Sequence, residues 1–205
     1  SRSWEHCYRV FRDARTDPSP DYDYLSLHLA FYLASWGMYR GSSFLLQKDY
    51  KVLSPVVEEV LKPEYDCLFG VACADLREPE VQVMLTKLYD YIADYFRPIR
   101  DEVAGCEVAS SVSPVLVTKI LMGTLGCVPA YDRFFQDGVA TYKVTTQEYS
   151  LKSVLRLVDF YEEHNDRLEE TRRGMQCEDL TYPQMKVLDM GFWQVGFEKD
   201  TGSAK

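Results

Sequence analysis

Residues 111–138 read SVSPVLVTKILMGTLGCVPAYDRFFQDG. Ser113-Pro114 is a helix start, with proline at a position where its missing N–H costs nothing. The helix it opens runs through Lys119 to Leu125, and Gly126 supplies the turn that ends it. Pro129 then starts a short helix through Phe135, ended near Gly138. One lysine therefore emerges from a mostly apolar helix, among Val117, Ile120 and Leu121. One aspartate, Asp132, sits near the start of the next. Burial lowers the pKa of a lysine and makes its amine nucleophilic. A helix dipole holds a carboxylate ionised near its N-terminus, where it can stabilise a developing cation such as an oxocarbenium.

The same helical reading extends in both directions. Trp4 to Arg15 places Cys7, Val10, Phe11 and Ala14 on one stripe. Asp17-Pro18-Ser19-Pro20 breaks it. The following run, YLSLHLAFYLASWGMY, is apolar nearly all round, which predicts a central buried helix with His28 as a core histidine. Arg40-Gly41-Ser42-Ser43 reads as a turn, and Ser54-Pro55 as another helix start ending at Pro63. Residues 64–78 read as a loop. From Pro79, Val81, Met84, Leu85, Leu88, Tyr91, Ile92, Tyr95 and Phe96 recur at helical spacing up to a predicted stop at Pro98. Thr145-x-x-Glu148 and Thr181-x-x-Gln184 have the capping-box pattern before two further helices. Ala140 to Thr145 is the single strand-like piece, too short to build a sheet. The expectation is an all-α single globular domain over 1–205, with lobes 1–104 and 105–205 as its one internal division.

The chain has 205 residues, 46% of them hydrophobic, so it can bury roughly 70% of its unfolded surface without a metal or disulfide staple. The six cysteines are scattered, and even Cys67 and Cys73 have five residues between them. That spacing predicts reduced, mostly buried thiols in a cytoplasmic protein, with no metal and no cofactor. Neither a leucine-rich leader run nor an apolar stretch of roughly 18 residues is present, so neither secretion nor a membrane is expected. With 32 acidic against 23 basic residues, the net charge is −9, which excludes a protein coated in basic charge for nucleic acid. The acid is uneven, however. Residues 105–145 balance to zero and residues 1–16 carry +2, so a neutral or mildly basic cleft fits on an acidic body.

T-K-I-L, a short helix and P-x-x-D-R, together with the closing segment YPQMKVLDMGFWQVG (182–196), resemble the core of the helix–hairpin–helix DNA glycosylases. The likeness is to the 8-oxoguanine glycosylase branch and its uncharacterised bacterial relatives. It covers residues 105–197. It implies that Lys119 is the lysine that attacks the sugar, that Asp132 is the assisting aspartate, and that nucleic acid is the partner. The chain departs from the pattern in two ways. The family's hairpin carries glycines whose N–H groups grip a phosphate, whereas Ser113-Pro114-Val115-Leu116-Val117 has none, and the lysine–aspartate spacing is shorter. A fold kept without the chemistry would instead bind a protein or peptide, with Lys119 a snorkelling lysine and Asp132 a cap.

The substrate-binding candidates around that pair come from three segments. Trp36, Tyr39 and Arg40 lie beside Gly37 and Gly41 and suggest a stacking wall with an anion site. Tyr131 and Arg133 flank Asp132. In the closing helix, Trp193 extends the wall and Asp189 is an acid among apolar residues that needs a partner.

Overall fold

The computed structural model describes residues 2–175 and 177–202. The chain is all-helical, and the sole β-type contact among the described residues is an isolated bridge between Cys177 and Leu180. Among the described residues nine α-helices follow one another: α1 (Arg2–Ala14), α2 (Tyr22–Ser35), α3 (Ser54–Val60), α4 (Pro79–Ala104), α5 (Pro114–Thr124), α6 (Arg133–Thr141), α7 (Leu151–Glu163), α8 (Asn165–Gly174) and α9 (Gln184–Asp200). Short 3-10 turns at Phe44–Gln47, Tyr50–Leu53, Pro63–Leu68 and Cys73–Arg77 fill the segments between α2 and α4, including the region that reads as loop.

Helix α5 is the pivot. It is hydrophobic on every side and buried from Leu116 to Thr124, packed against α1, α2 and α4. Residues 1–104 and 105–205 are stitched together by buried polar bonds. The Trp4 indole N–H donates to the Met122 carbonyl at 2.9 Å, Gly70 N–H to the Leu125 carbonyl at 2.8 Å, and Cys73 N–H to Gln184 Oε1 at 2.7 Å. Gly123 is required here, because a Cβ would lie 2.4 Å from the Tyr32 ring.

Helices α6 and α9 cross backbone against backbone. Each carries the spacing F-x-x-x-G, as Phe134 to Gly138 and Phe192 to Gly196. A Cβ at Gly138 would fall 1.9 Å from the Phe192 carbonyl oxygen, and one at Gly196 would fall 1.9 Å from that of Phe134. Each glycine thus seats the other helix's phenylalanine carbonyl, a backbone contact that any side chain blocks.

Several boundaries differ from the sequence reading for identifiable reasons. Helix α4 runs through Pro98 to Ala104. The proline removes one N–H, but beyond it Arg100 binds the Ser110 and Val108 carbonyls and Asp101, which hold the last turns in place. Helix α6 starts at Arg133 rather than Pro129, because Asp132 is the residue that caps it. The segment 140–145 is the end of α6 and a turn, not a strand. The two capping boxes do not form. Ser150 caps α7, while Thr145 hydrogen-bonds Ser153; α9 begins after Pro183, and Gln184 reaches out to Cys73 and Glu169. Helix α2 is not buried all round. Tyr24, Leu27 and Phe31 face solvent, Phe31 at 64% exposure, and His28 is half-buried against the Tyr24 ring. Cys7, Cys73 and Cys127 are buried thiols, whereas Cys67 and Cys106 are exposed.

Candidate functional site

An open cleft of about 830 Å³ lies between the end of α2, the middle of α5, the start of α6 and the face of α9. Lys119 and Asp132 both line it. Lys119 is 5% exposed, and its ammonium donates to the Trp36 carbonyl at 2.6 Å and stands 3.5 Å from Asp132 Oδ2. The other oxygen of Asp132 accepts the Phe135 N–H at 3.1 Å, the cap of α6. Burial lowers the Lys119 pKa, opposed by the Asp132 charge. Burial likewise raises the Asp132 pKa, opposed by Lys119 and by the capping N–H. Each partner is what holds the other's charge inside the protein.

The turn that delivers Asp132 is clamped from two helices. Thr118 of α5 accepts the Tyr131 N–H at 3.0 Å, and Asp189 of α9 accepts the Ala130 N–H at 2.9 Å. The second oxygen of Asp189 meets Lys186 at 2.8 Å. Lys186, also 5% exposed, lies over the rings of Trp4 at 4.8 Å and Trp36 at 5.6 Å. A second buried lysine–aspartate pair thus sits behind the first. Between the two pairs is a small space of about 10 Å³.

Of the residues expected at the site, Trp36, Tyr39, Arg40, Arg133 and Trp193 all line the cleft. Trp36 and Trp193 meet edge-to-face at 6.1 Å, and Phe134 packs on Trp193 at 5.2 Å. Asp189 is behind the wall rather than in it. Tyr131 is inside the core, fully buried, with its hydroxyl on Ser153 at 2.8 Å. The side chain beside Asp132 alternates inward because the turn directs Tyr131 to the packed face and Asp132 to the cleft. Sequence reasoning missed Lys186, Thr118 and Phe134. The K-x-x-D spacing of Lys186 and Asp189, which puts both on one face of an apolar helix, was the available signal. Among the described residues no group of His, Cys, Asp and Glu converges as metal ligands would.

No protein-family model, curated protein or solved structure matches this chain. The site offers a desolvated amine, a carboxylate beside it, an aromatic wall and two arginines at the rim. No helix among the described residues is long and apolar enough to cross a membrane.

Proposed function

We propose that the cleft binds a nucleobase of nucleic acid and breaks its N-glycosidic bond, with Lys119 as nucleophile and Asp132 as its electrostatic partner. One observation carries this reading: an amine and a carboxylate 3.5 Å apart, both facing an aromatic-walled cleft. The base would lie against Trp36 and Trp193. Lys119 first gives its ammonium proton to solvent; as the free amine it then forms a bond to C1′ while the C1′–N bond breaks and its electron pair leaves with the base. The departing base takes up the proton that the new ammonium gives up. Asp132 stabilises the cationic character at C1′ as the bond stretches. The C1′–O4′ bond then breaks as the nitrogen lone pair forms C1′=N, and the last N–H proton passes to O4′, which leaves an imine on Lys119.

That imine is the test. Borohydride reduces it to a stable amine, so the wild-type chain should become covalently attached to a duplex oligonucleotide carrying one 8-oxoguanine or one abasic site. Lys119→Ala should not. No adduct with wild type, or equal adduct with Lys119→Ala, overturns the reading. The alternative, a module that binds a protein or peptide without chemistry, draws on the exposed Tyr24, Leu27 and Phe31 stripe of α2. Nucleic-acid binding weakens steeply with added salt, and a flat salt response would favour the protein partner.

A further inference from the structure

We infer that the cleft is built for a nucleotide rather than a bare base, with a phosphate seated on Arg40 beside a base held by Trp36 and Trp193. The inference deepens the proposed function and rests on it for the base; the phosphate site rests on residues 36–40.

Gly37 ends α2 with φ +79, a left-handed conformation that glycine adopts without strain. Its missing side chain leaves a space that the Arg40 guanidinium fills. The Nε, Cζ and Nη2 atoms lie 3.0 to 3.3 Å from where a Cβ would be. Arg40 therefore folds back along the cleft with its side chain still exposed. There its charge acts on Lys119, a like-charge neighbour that disfavours the lysine's protonated form.

The other cations of the cleft are answered. Lys119 has Asp132, and Arg133 has Asp200 at 2.9 Å while it stacks on Phe134. Elsewhere Arg12, Arg15, Arg77 and Arg172 all find carboxylates. The Arg40 side chain has no hydrogen-bond or ion-pair partner among the described residues, in a chain where acids outnumber bases 32 to 23. Asp132 is the one acid among the cleft-lining residues.

Two further donors in the same segment are buried without an acceptor. They are the Trp36 indole N–H and the Tyr39 hydroxyl, and both residues line the cleft. The Arg40 guanidinium, open to the cleft, calls for an acceptor-rich group from outside, and the two buried donors in its segment lack the partner that buried donors normally have. A phosphate has acceptors only, and its charge-assisted bonds to a guanidinium are among the strongest available. It also relieves the repulsion between Arg40 and Lys119. The aromatic wall adjoining these donors supplies a face for a base, so the ligand class is a nucleoside phosphate rather than an anion alone.

Isothermal titration calorimetry of the full chain at low salt tests this with the four 2′-deoxynucleoside 5′-monophosphates, the matching nucleosides and inorganic phosphate. At least one monophosphate should bind about tenfold or more tightly than its nucleoside. Arg40→Gln, at an exposed side chain with no protein partner, should erase that preference, and Lys119→Ala should keep it. A single-stranded octanucleotide that outbinds the monophosphate identifies the polymer as the source of the nucleotide. Binding no tighter than the monophosphate identifies the free nucleotide. Equal binding of nucleoside and monophosphate overturns the proposal. So does a preference that survives Arg40→Gln, inorganic phosphate binding as tightly as the nucleotide, or no binding at all. The two readings fail separately. Borohydride trapping without phosphate preference sinks only the phosphate site, whereas phosphate preference without trapping sinks only the lysine chemistry.

Discussion

Gly138→Ala is the substitution that most directly interrogates the geometry behind the cleft. The new methyl would be placed 1.9 Å from the Phe192 carbonyl oxygen. Backbone cannot rotate away as a side chain can, so α6 and α9 must part by at least about 1 Å to restore an ordinary contact. Overpacking of this kind costs about 1–3 kcal/mol, and a clash with backbone belongs at the upper end. Alanine is about 1 kcal/mol better than glycine inside a helix, which offsets part of it. The net expectation is a loss of about 2 kcal/mol, or a Tm lower by about 4–8 °C for a chain of this size. Gly191, on α9 with nothing within 4 Å of an added Cβ, is the internal control. Gly191→Ala keeps the propensity gain without the clash and should raise the Tm by about 2–4 °C. Thermal unfolding followed by circular dichroism measures both. If Gly138→Ala is as stable as wild type, the close crossing does not exist as described. The same separation shifts Asp132, which caps α6, relative to Trp193 on α9, so borohydride trapping by Gly138→Ala should fall with its stability.

Two pH experiments follow from the buried charges. Lys119→Met leaves Asp132 buried without its counter-ion, so its pKa, already raised by burial, climbs further. A carboxyl whose folded pKa is raised loses stability as pH rises through that range. The Tm gap between wild type and Lys119→Met should therefore be wider at about pH 8 than at about pH 5, and a constant gap would count against the pairing. Glu169 is the opposite case. Arg172, with help from Tyr161 and Gln184, holds its carboxyl down from 4.5 to about 2. That stabilisation is present above the ordinary value and lost as pH falls toward the folded one. The deficit of Glu169→Gln in thermal unfolding should shrink across the same window, and an undiminished deficit at about pH 3 would refute it.

The helical architecture was legible because it rests on local signals. Proline and glycine punctuate the chain, and apolar residues recur at 3.6-residue spacing in α1 and α4. Helix ends were less legible, because long-range bonds set them. Arg100 carries α4 past its proline, and Gln184 is drawn to Cys73 instead of closing a box with Thr181. Composition also misjudged α2. Its apolar residues exceed what the core can cover, so Phe31 and Leu27 stay outside. At the site, Lys119 and Asp132 could be read together because one short segment carries both. Lys186 was legible only as the K-x-x-D partner of Asp189, since its place over Trp4 and Trp36 depends on how α9 lies. Tyr131 was assigned to the cleft by adjacency to Asp132, but neighbours in a turn point in opposite directions, and its ring went to the core.

The contrast between the two lysine–aspartate pairs bears on which of them acts. Buried ion pairs are weak contributors to stability, and apolar replacements often serve a core equally well. Lys186 and Asp189 make the sort of pair a structural role wants. They lie at 2.8 Å, a charge-assisted distance, and the remaining aspartate oxygen is satisfied by the Ala130 N–H. Lys119 and Asp132 are kept apart at 3.5 Å although nothing in the sequence of the turn requires it. The lysine is drawn off by the Trp36 carbonyl, and the aspartate by its cap on α6. Held open and turned to the cleft, the two groups can both reach a third atom set between them. That is the arrangement the proposed glycosidic chemistry asks for around one sugar carbon.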